Sequence, residues 1–300
     1  MTEPARYQSV FRPGLFAGRV IIVTGGGSGI GRCTAHELAA LGAHVVITGR
    51  TPDKLDVVAE EIRDDGGTVT TAAFDIRDEA AVKENVARIV HETGPVYGLV
   101  NNAGGQFPSP LSGISKKGFE AVLATNLTGG FLMARALYVQ CLAEFGGAIV
   151  NVTADFWDGM PGMGHSGAAR AGMDNLTKTA AVEWAKDGVR VNAVAPGWVA
   201  SSGLDSYKDP AVRALIPRLR DGVPLKRLAT EAEISAVICF LLSDGAAFIT
   251  GANLPIDGGA RLWRASYPLP PARNVACFQG FHRYRPPAVL AEDTFAEAKS

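Results

Sequence analysis

Short apolar runs alternate along this chain with longer segments whose apolar positions recur at helical spacing. The runs predict strands at 20–24, 44–48, 69–74, 98–100, 148–152, 190–193 and 253–256, with amphipathic helices between them. The first run, Val20-Ile21-Ile22-Val23, has no polar alternation, as expected of a strand covered on both faces. Strand–helix alternation of this kind builds βαβ crossovers and a parallel sheet with helices on both sides. The predicted fold class is α/β: a single doubly wound Rossmann domain over 1–300, with a seven-stranded parallel sheet. Its ligand crevice is expected at the carboxyl ends of the strands. Three segments break the rhythm. Residues 1–18 read as an irregular N-terminal arm, and 197–228 as a loop-rich substrate lid. Residues 261–300 form a C-terminal extension whose aromatics (Trp263, Tyr267, Phe278, Phe281, Tyr284) predict packing on the body or on a neighbouring subunit.

The first strand runs into Thr24-Gly25-Gly26-Gly27-Ser28-Gly29-Ile30-Gly31, followed by a helix carrying Leu38 and Leu41. Glycines there allow a tight turn that exposes backbone N–H groups at the helix N-terminus. A pyrophosphate fits such a site, held by those donors and the helix dipole. Thr24, Gly25, Gly27, Ser28, Gly29, Ile30 and Gly31 are therefore candidate cofactor contacts; a glycine-rich turn without a ligand is the alternative.

Composition narrows the class. Hydrophobic residues make up 47% and charged residues 20% of 300 positions, enough for a large core, and the net charge is −1. No basic stripe points to nucleic acid and no charge run to a membrane surface. Cys33, Cys141, Cys239 and Cys277 are scattered, which reads as reduced thiols rather than a metal or disulfide framework. No secretory signal opens the chain, no apolar run approaches about 20 residues, and the last residues, Ala-Lys-Ser, are not a peroxisomal address. A cytoplasmic enzyme without a metal or membrane partner is the expectation.

The nucleotide is read at the second strand. It ends Thr48-Gly49-Arg50, where an NAD site usually has an acid for the ribose hydroxyls. Gly49 leaves room and Arg50 supplies a planar cation for a 2′-phosphate, which favours NADP(H). A solvated arginine at a strand end is the other reading. Arg32 could add a second cation. Asp75-Ile76 closes the third strand, where Asp75 could accept from the adenine amine and Ile76 pack on the ring; a strand-end cap is the alternative.

Thr24-Gly25-x-x-x-Gly29-x-Gly31, Asn101-Asn102-Ala103-Gly104, Asn126 and Pro196-Gly197 together resemble the short-chain dehydrogenase/reductase superfamily over about 19–259. The resemblance implies that Asn102, Ala103 and Gly104 lie under the adenosine. It also implies that Asn126 sits at a helix kink and orders a proton-relay water, and that Pro196, Gly197, Trp198 and Val199 line the nicotinamide. Homo-oligomers, dimers or tetramers, are usual there. The stretches 101–107, 125–129 and 165–172 are similar to peroxisomal trans-2-enoyl-CoA reductases and to bacterial citronellol/citronellal-type dehydrogenases.

The usual catalytic Tyr-x-x-x-Lys of that superfamily is missing. Ser166 stands at the Tyr position and Arg170 at the Lys position. Alcohol oxidation needs a hydroxyl proton removed, which a phenol does beside an ammonium that lowers its pKa. A serine is too weak an acid for that role, and arginine is a fixed cation rather than a proton shuttle. Both suit charge stabilisation instead. Ser166 is read as a donor to a substrate oxygen, with a helix N-cap as alternative; Arg170 holds the nicotinamide ribose. The proton source is open among Asp155, Asp174, His165 and a water ordered by Asn126; for Asp174 an ion pair is the simpler reading. Phe107, Phe156, Trp157, Met160 and Met163 form an apolar slot or are core.

The expected function is NADPH-dependent reduction of the C2=C3 bond of a 2-enoyl-CoA. The alternatives are a terpenoid alcohol/aldehyde dehydrogenase and, from another class, a non-catalytic NADP-binding sensor. Either enzyme takes a small-molecule substrate, an acyl-CoA or a terpenoid.

Overall fold

The computed structural model of the chain describes residues 6–264 and 266–290; residues 1–5 of the arm and 265 and 291–300 of the extension lie outside the described residues. The elements are β1 (Val20–Thr24), α1 (Gly29–Ala40), β2 (His44–Gly49), α2 (Pro52–Asp64), β3 (Thr68–Ala73), α3 (Glu79–Thr93) and β4 (Val96–Asn101). There follow α4 (Lys116–Leu123), α5 (Gly129–Leu137), α6 (Ala143–Phe145), β5 (Gly147–Val152), α7 (Gly164–Glu183), β6 (Val189–Pro196), α8 (Pro210–Leu215), α9 (Glu231–Leu242) and β7 (Asn253–Ile256). The strands form one parallel sheet in the order β3-β2-β1-β4-β5-β6-β7. β1 and β7 have the predicted bounds; the others are displaced or extended by a few residues.

Successive side chains of a strand face opposite ways. Ile21 and Val23 enter one core layer with Leu38 of α1 and Ile238 and Leu242 of α9. Val20 and Ile22 enter the other, with Val86 and Ile89 of α3 and Met133 and Leu137 of α5. Both faces of β1 are therefore apolar, and each such side chain contributes about 1.5–3 kcal/mol by leaving water. Helix starts are fixed locally. Asp78 accepts two N–H groups of α3, and Thr230 and Glu233 form a reciprocal capping box on α9.

From Lys116 to Phe145 the chain is one helical stretch that, by length and composition alone, is long and apolar enough to cross a membrane. Its side chains Leu132, Met133, Leu137 and Leu142 are buried against the sheet. A π-helical turn at Ala124–Thr128 interrupts it, and this irregularity carries Asn126.

The predicted lid is more helical than expected, with α8 between 3₁₀ segments Ser202–Ser206 and Ile216–Gly222. Its apolar residues Ala200, Leu204, Ile216 and Leu228 share a cluster with Leu290 of the extension. Further back, Phe281 is buried with Tyr7, Cys33 and Ala232, and the Gln8 N–H donates to the Gly280 carbonyl at 2.8 Å. The described part of the extension thus packs on the body at Gly280, Phe281 and Leu290, while Tyr267 is 66% exposed.

Candidate active site

Strand order reverses between β1 and β4, and the predicted site residues gather at the carboxyl ends of the central strands. There the turn after β1 and the turn after β4 interlock. Thr24 Oγ1 donates to the Val100 carbonyl at 3.2 Å and accepts the N–H groups of Asn102 and Ala103, each at 3.0 Å. Asn102 Nδ2 donates to the Thr24 carbonyl at 2.9 Å. Gly25 has φ 68, and a Cβ there would lie 3.0 Å from Ala103 Cα; a Cβ on Gly31 would collide with Asn102 Nδ2 and the Gly25 carbonyl. These two positions explain the glycines. Thr24 and Asn102 hold the cradle's two walls together, and their side chains are used in doing so.

The cradle opens on the N-terminus of α1. Ser28 is its N-cap in extended conformation and makes no side-chain cap bond, so the first N–H groups of the helix are not closed off by it. These donors suit a pyrophosphate. Arg50 stands exposed at the end of β2. Arg32, the second candidate cation, is committed elsewhere: it forks onto Glu61 at 2.7 and 2.8 Å and lies over the Phe281 ring at 4.8 Å. Asp75 is held by a fork from Arg77, which keeps its carboxyl below the usual range. The Ile76 side chain packs in the core against Gly129, just past the end of β3.

Asn126, Arg170 and Gly104 converge on one spot. The Gly105 N–H donates to Asn126 Oδ1 at 2.8 Å, and a Cβ on Gly104 would lie 2.7 Å from Arg170 Nη2. Arg170 Nη1 donates to the Val152 carbonyl at 2.6 Å. Burial lowers the guanidinium pKa to about 10, which leaves it charged at neutral pH. Asn126 Nδ2 and Arg170 Nε are enclosed and have no partner. Unmet donors in an otherwise bonded core mark where a polar ligand completes the structure. A nicotinamide ribose fits these donors.

Ser166 lies in the first turn of α7, two residues past its start, so it is not the N-cap. It is buried, and its hydroxyl donates to Gln106 Oε1 at 2.7 Å. Its N–H donates to His165 Nδ1 at 2.8 Å. Asp155 follows β5 and donates its N–H to the Pro196 carbonyl at 3.2 Å, beside the predicted nicotinamide wall. Burial, then Asp257 and Asp158, raise its pKa. Asp174 makes the ion pair that is its simpler reading, with Lys178 rather than Arg170: Lys178 Nζ at 2.6 Å and Asn253 Nδ2 at 2.9 Å take its two oxygens and link α7 to β7. Thr153, just past β5, donates its hydroxyl to the Val194 carbonyl at 2.9 Å.

Phe107 and Trp157 are exposed and Phe156 stacks on Trp157 at 4.8 Å, so part of the apolar slot is open surface rather than core. Pro196 and Val199 are buried while Trp198 is 40% exposed. A cavity of about 230 Å³ lies under the lid, lined by Trp198, Val223, Leu225, Ala229, Ile256 and Asp257 among others. Ser166 and Arg170 do not line it. Two residues of this region escaped sequence reading: Gln106, a lone polar residue in a Gly-rich loop, and Asp257, directly after the β7 run.

A family model described as Enoyl-(Acyl carrier protein) reductase matches residues 25–261. A solved structure of a citronellol catabolism dehydrogenase from Pseudomonas aeruginosa PAO1 is 60% identical, covers 85% of this chain and 99% of its own, and superposes with a TM-score of 0.77. The peroxisomal 2,4-dienoyl-CoA reductase of Danio rerio is 33% identical over 87% of both chains. A Beutenbergia cavernae structure, described as an NAD(P)-dependent gluconate 5-dehydrogenase with NADP bound at low occupancy, is 34% identical over 84% of this chain and 100% of its own, with a TM-score of 0.76. With the doubly wound sheet, the interlocked glycine turn and these relatives in agreement, the chain belongs to the short-chain dehydrogenase/reductase family of oxidoreductases.

Proposed function

We propose that the chain reduces the C2=C3 bond of a 2-enoyl-CoA with NADPH. The observation that carries this reading is the pair Ser166 and Arg170, where a proton-abstracting phenol and its lysine would stand. NADPH, when bound, supplies a hydride, which goes to C3; the electron pair of the double bond moves onto the thioester oxygen. The chain then has two tasks. Fixed donors and the Arg170 charge stabilise the oxygen as it becomes negative, and donors of this kind are worth about 2.7–4 kcal/mol each. A proton must then reach C2. Asp155, whose pKa is raised, is the candidate acid, directly or through a water held at Asn126 Nδ2. Arg50, with no acid at the end of β2, supports NADP(H) over NAD(H). We also propose a homo-oligomer, dimer or tetramer, as is usual in the family.

A terpenoid alcohol/aldehyde dehydrogenase is the second reading. The 60% identical relative of citronellol catabolism favours it. So does the lid chemistry: Arg227 is held by Glu233 at 2.6 Å and Lys226 by the Asp221 carbonyl at 2.7 Å, which leaves these two cations less free for CoA phosphates. The test is NADPH consumption with medium-chain trans-2-enoyl-CoA beside NADP⁺ reduction with citronellol. Thioester turnover alone supports hydride addition to C3. Alcohol turnover alone overturns it in favour of the second reading. Tight NADPH binding without either reaction points to a sensor.

A further inference from the structure

We propose that Gln106, not Ser166, presents the hydrogen bond to the substrate's carbonyl oxygen, and that Ser166 is the positioning residue that orients it. The inference rests on the reaction proposed above only in needing a carbonyl substrate, and holds for an enoyl thioester or an aldehyde.

A serine hydroxyl has one proton. In Ser166 that proton is directed at Gln106 Oε1 over 2.7 Å, and the residue is fully buried. It is therefore not available to a substrate oxygen. Gln106 is the outward member of the pair: it is exposed, and its carboxamide carries two N–H donors. Among the described residues no hydrogen bond engages that nitrogen. With Oε1 fixed on the buried hydroxyl, the amide nitrogen points away from it.

The backbone around Gln106 is anchored on both sides. The Gly105 N–H is held by Asn126 Oδ1 at 2.8 Å, and Gly104 lies against Arg170. On the other side the Phe107 ring sits edge-to-face on buried His165, with centroids 4.4 Å apart. A carboxamide on such a segment is presented at a defined place beside the unmet donors Asn126 Nδ2 and Arg170 Nε. A neutral amide donor also keeps its proton at every working pH, which a weak donor to a developing negative oxygen requires.

The opposite amide orientation would reverse the roles, since Gln106 would then donate to Ser166 and free the hydroxyl. Gln106→Glu separates the two. The carboxylate still accepts from Ser166 but has no proton for the substrate. Expected for Gln106→Glu and Gln106→Ala is a fall in kcat of about 100-fold or more. Ser166→Ala, which loosens the carboxamide without removing it, should lose about tenfold, with the NADPH dissociation constant unchanged in all three. A loss in Ser166→Ala as large as in Gln106→Glu overturns the proposal, as does a Gln106→Glu variant of wild-type rate.

A readout independent of turnover separates this inference from the choice of reaction. The carbonyl stretch of trans-2-enoyl-CoA and of citronellal is recorded by difference infrared in the ternary complex with NADP⁺. The wild type should shift whichever carbonyl it binds to lower frequency, and Gln106→Glu should abolish the shift. A shift of the aldehyde alone overturns the enoyl-CoA reading and leaves Gln106 in its role. A shift that survives in Gln106→Glu, or none in the wild type, overturns Gln106.

Discussion

Arg170 Nη1 lies 2.6 Å from the Val152 carbonyl and ties α7 to the end of β5. The rest of the guanidinium faces Gly104, with Nε unmet. A lysine has one nitrogen and can serve the carbonyl or a ribose hydroxyl, not both. Arg170→Lys should therefore fold normally and bind NADPH about tenfold more weakly, or about 1.4 kcal/mol. Arg170→Ala leaves the carbonyl unpaired and should also lose about 1–3 kcal/mol of stability. Cofactor titration by fluorescence and a denaturant curve check both.

Arg50 has no hydrogen-bonding partner among the described residues and follows β2, where the proposed function puts the 2′-phosphate. Removing a charge-assisted donor costs about 1.5–3 kcal/mol. Arg50→Ala should lower kcat/KM for NADPH about 10- to 100-fold and leave that for NADH unchanged. An equal loss with both cofactors would show that Arg50 supports the fold of the turn and not the phosphate.

Much of this was legible from pattern alone. A parallel strand buried on both faces is an unbroken apolar run, so β1 could be bounded to the residue. The glycine spacing announces the cradle because only a residue without a side chain fits between Asn102 and the Gly25 carbonyl. What spacing does not carry is which of several polar partners a side chain takes. Asp174 could face Arg170 at one helical turn, yet Lys178 and Asn253 hold it. Arg32 could face a phosphate, yet Glu61 holds it. Gln106 reaches Ser166 across 60 residues, a contact no local pattern encodes.

Asp155 provides a pH test of the proton source. Burial and the carboxylates of Asp257 and Asp158 raise its pKa. As a general acid it must be protonated, so reductive turnover should be full below its pKa and fall as pH rises through it. Asp155→Asn should lower kcat and abolish that descending limb. A limb that persists in Asp155→Asn assigns the proton to water or another group.

Phe281 joins the extension to the arm and to α1. Its ring is 1% exposed, 4.9 Å from the His36 ring, and packed with Tyr7 and Cys33. Three residues on, the Tyr284 hydroxyl donates to the lid's Ala200 carbonyl at 3.0 Å. Phe281→Ala should cost about 3–5 kcal/mol locally and release the extension to protease. The substrate KM should rise as the lid loses its backing, while NADPH affinity holds. An unchanged KM with a cleaved extension would show that the lid stands without it.

Glu231 opens α9 beneath the glycine turn, with Oε1 3.9 Å from where a Cβ on Gly29 would be. Burial pushes its pKa from 4.5 up to about 7, against the pull of Arg32. The folded protein therefore holds this proton more tightly than the unfolded chain. The stability it contributes is complete below pH 4.5 and is lost as pH rises through about 7. The loss amounts to about 3 kcal/mol. Glu231→Gln cannot ionise, so it should match the wild type in acid and exceed it in denaturant midpoint at pH 8. A bound pyrophosphate adds negative charge beside the same carboxyl and raises its pKa further, so cofactor binding takes up a proton. NADPH affinity of the wild type should then weaken as pH rises through 7, and Glu231→Gln should flatten that dependence. A variant that gains stability at pH 8 but keeps the wild-type pH profile of NADPH binding would place the pyrophosphate out of reach of this helix end.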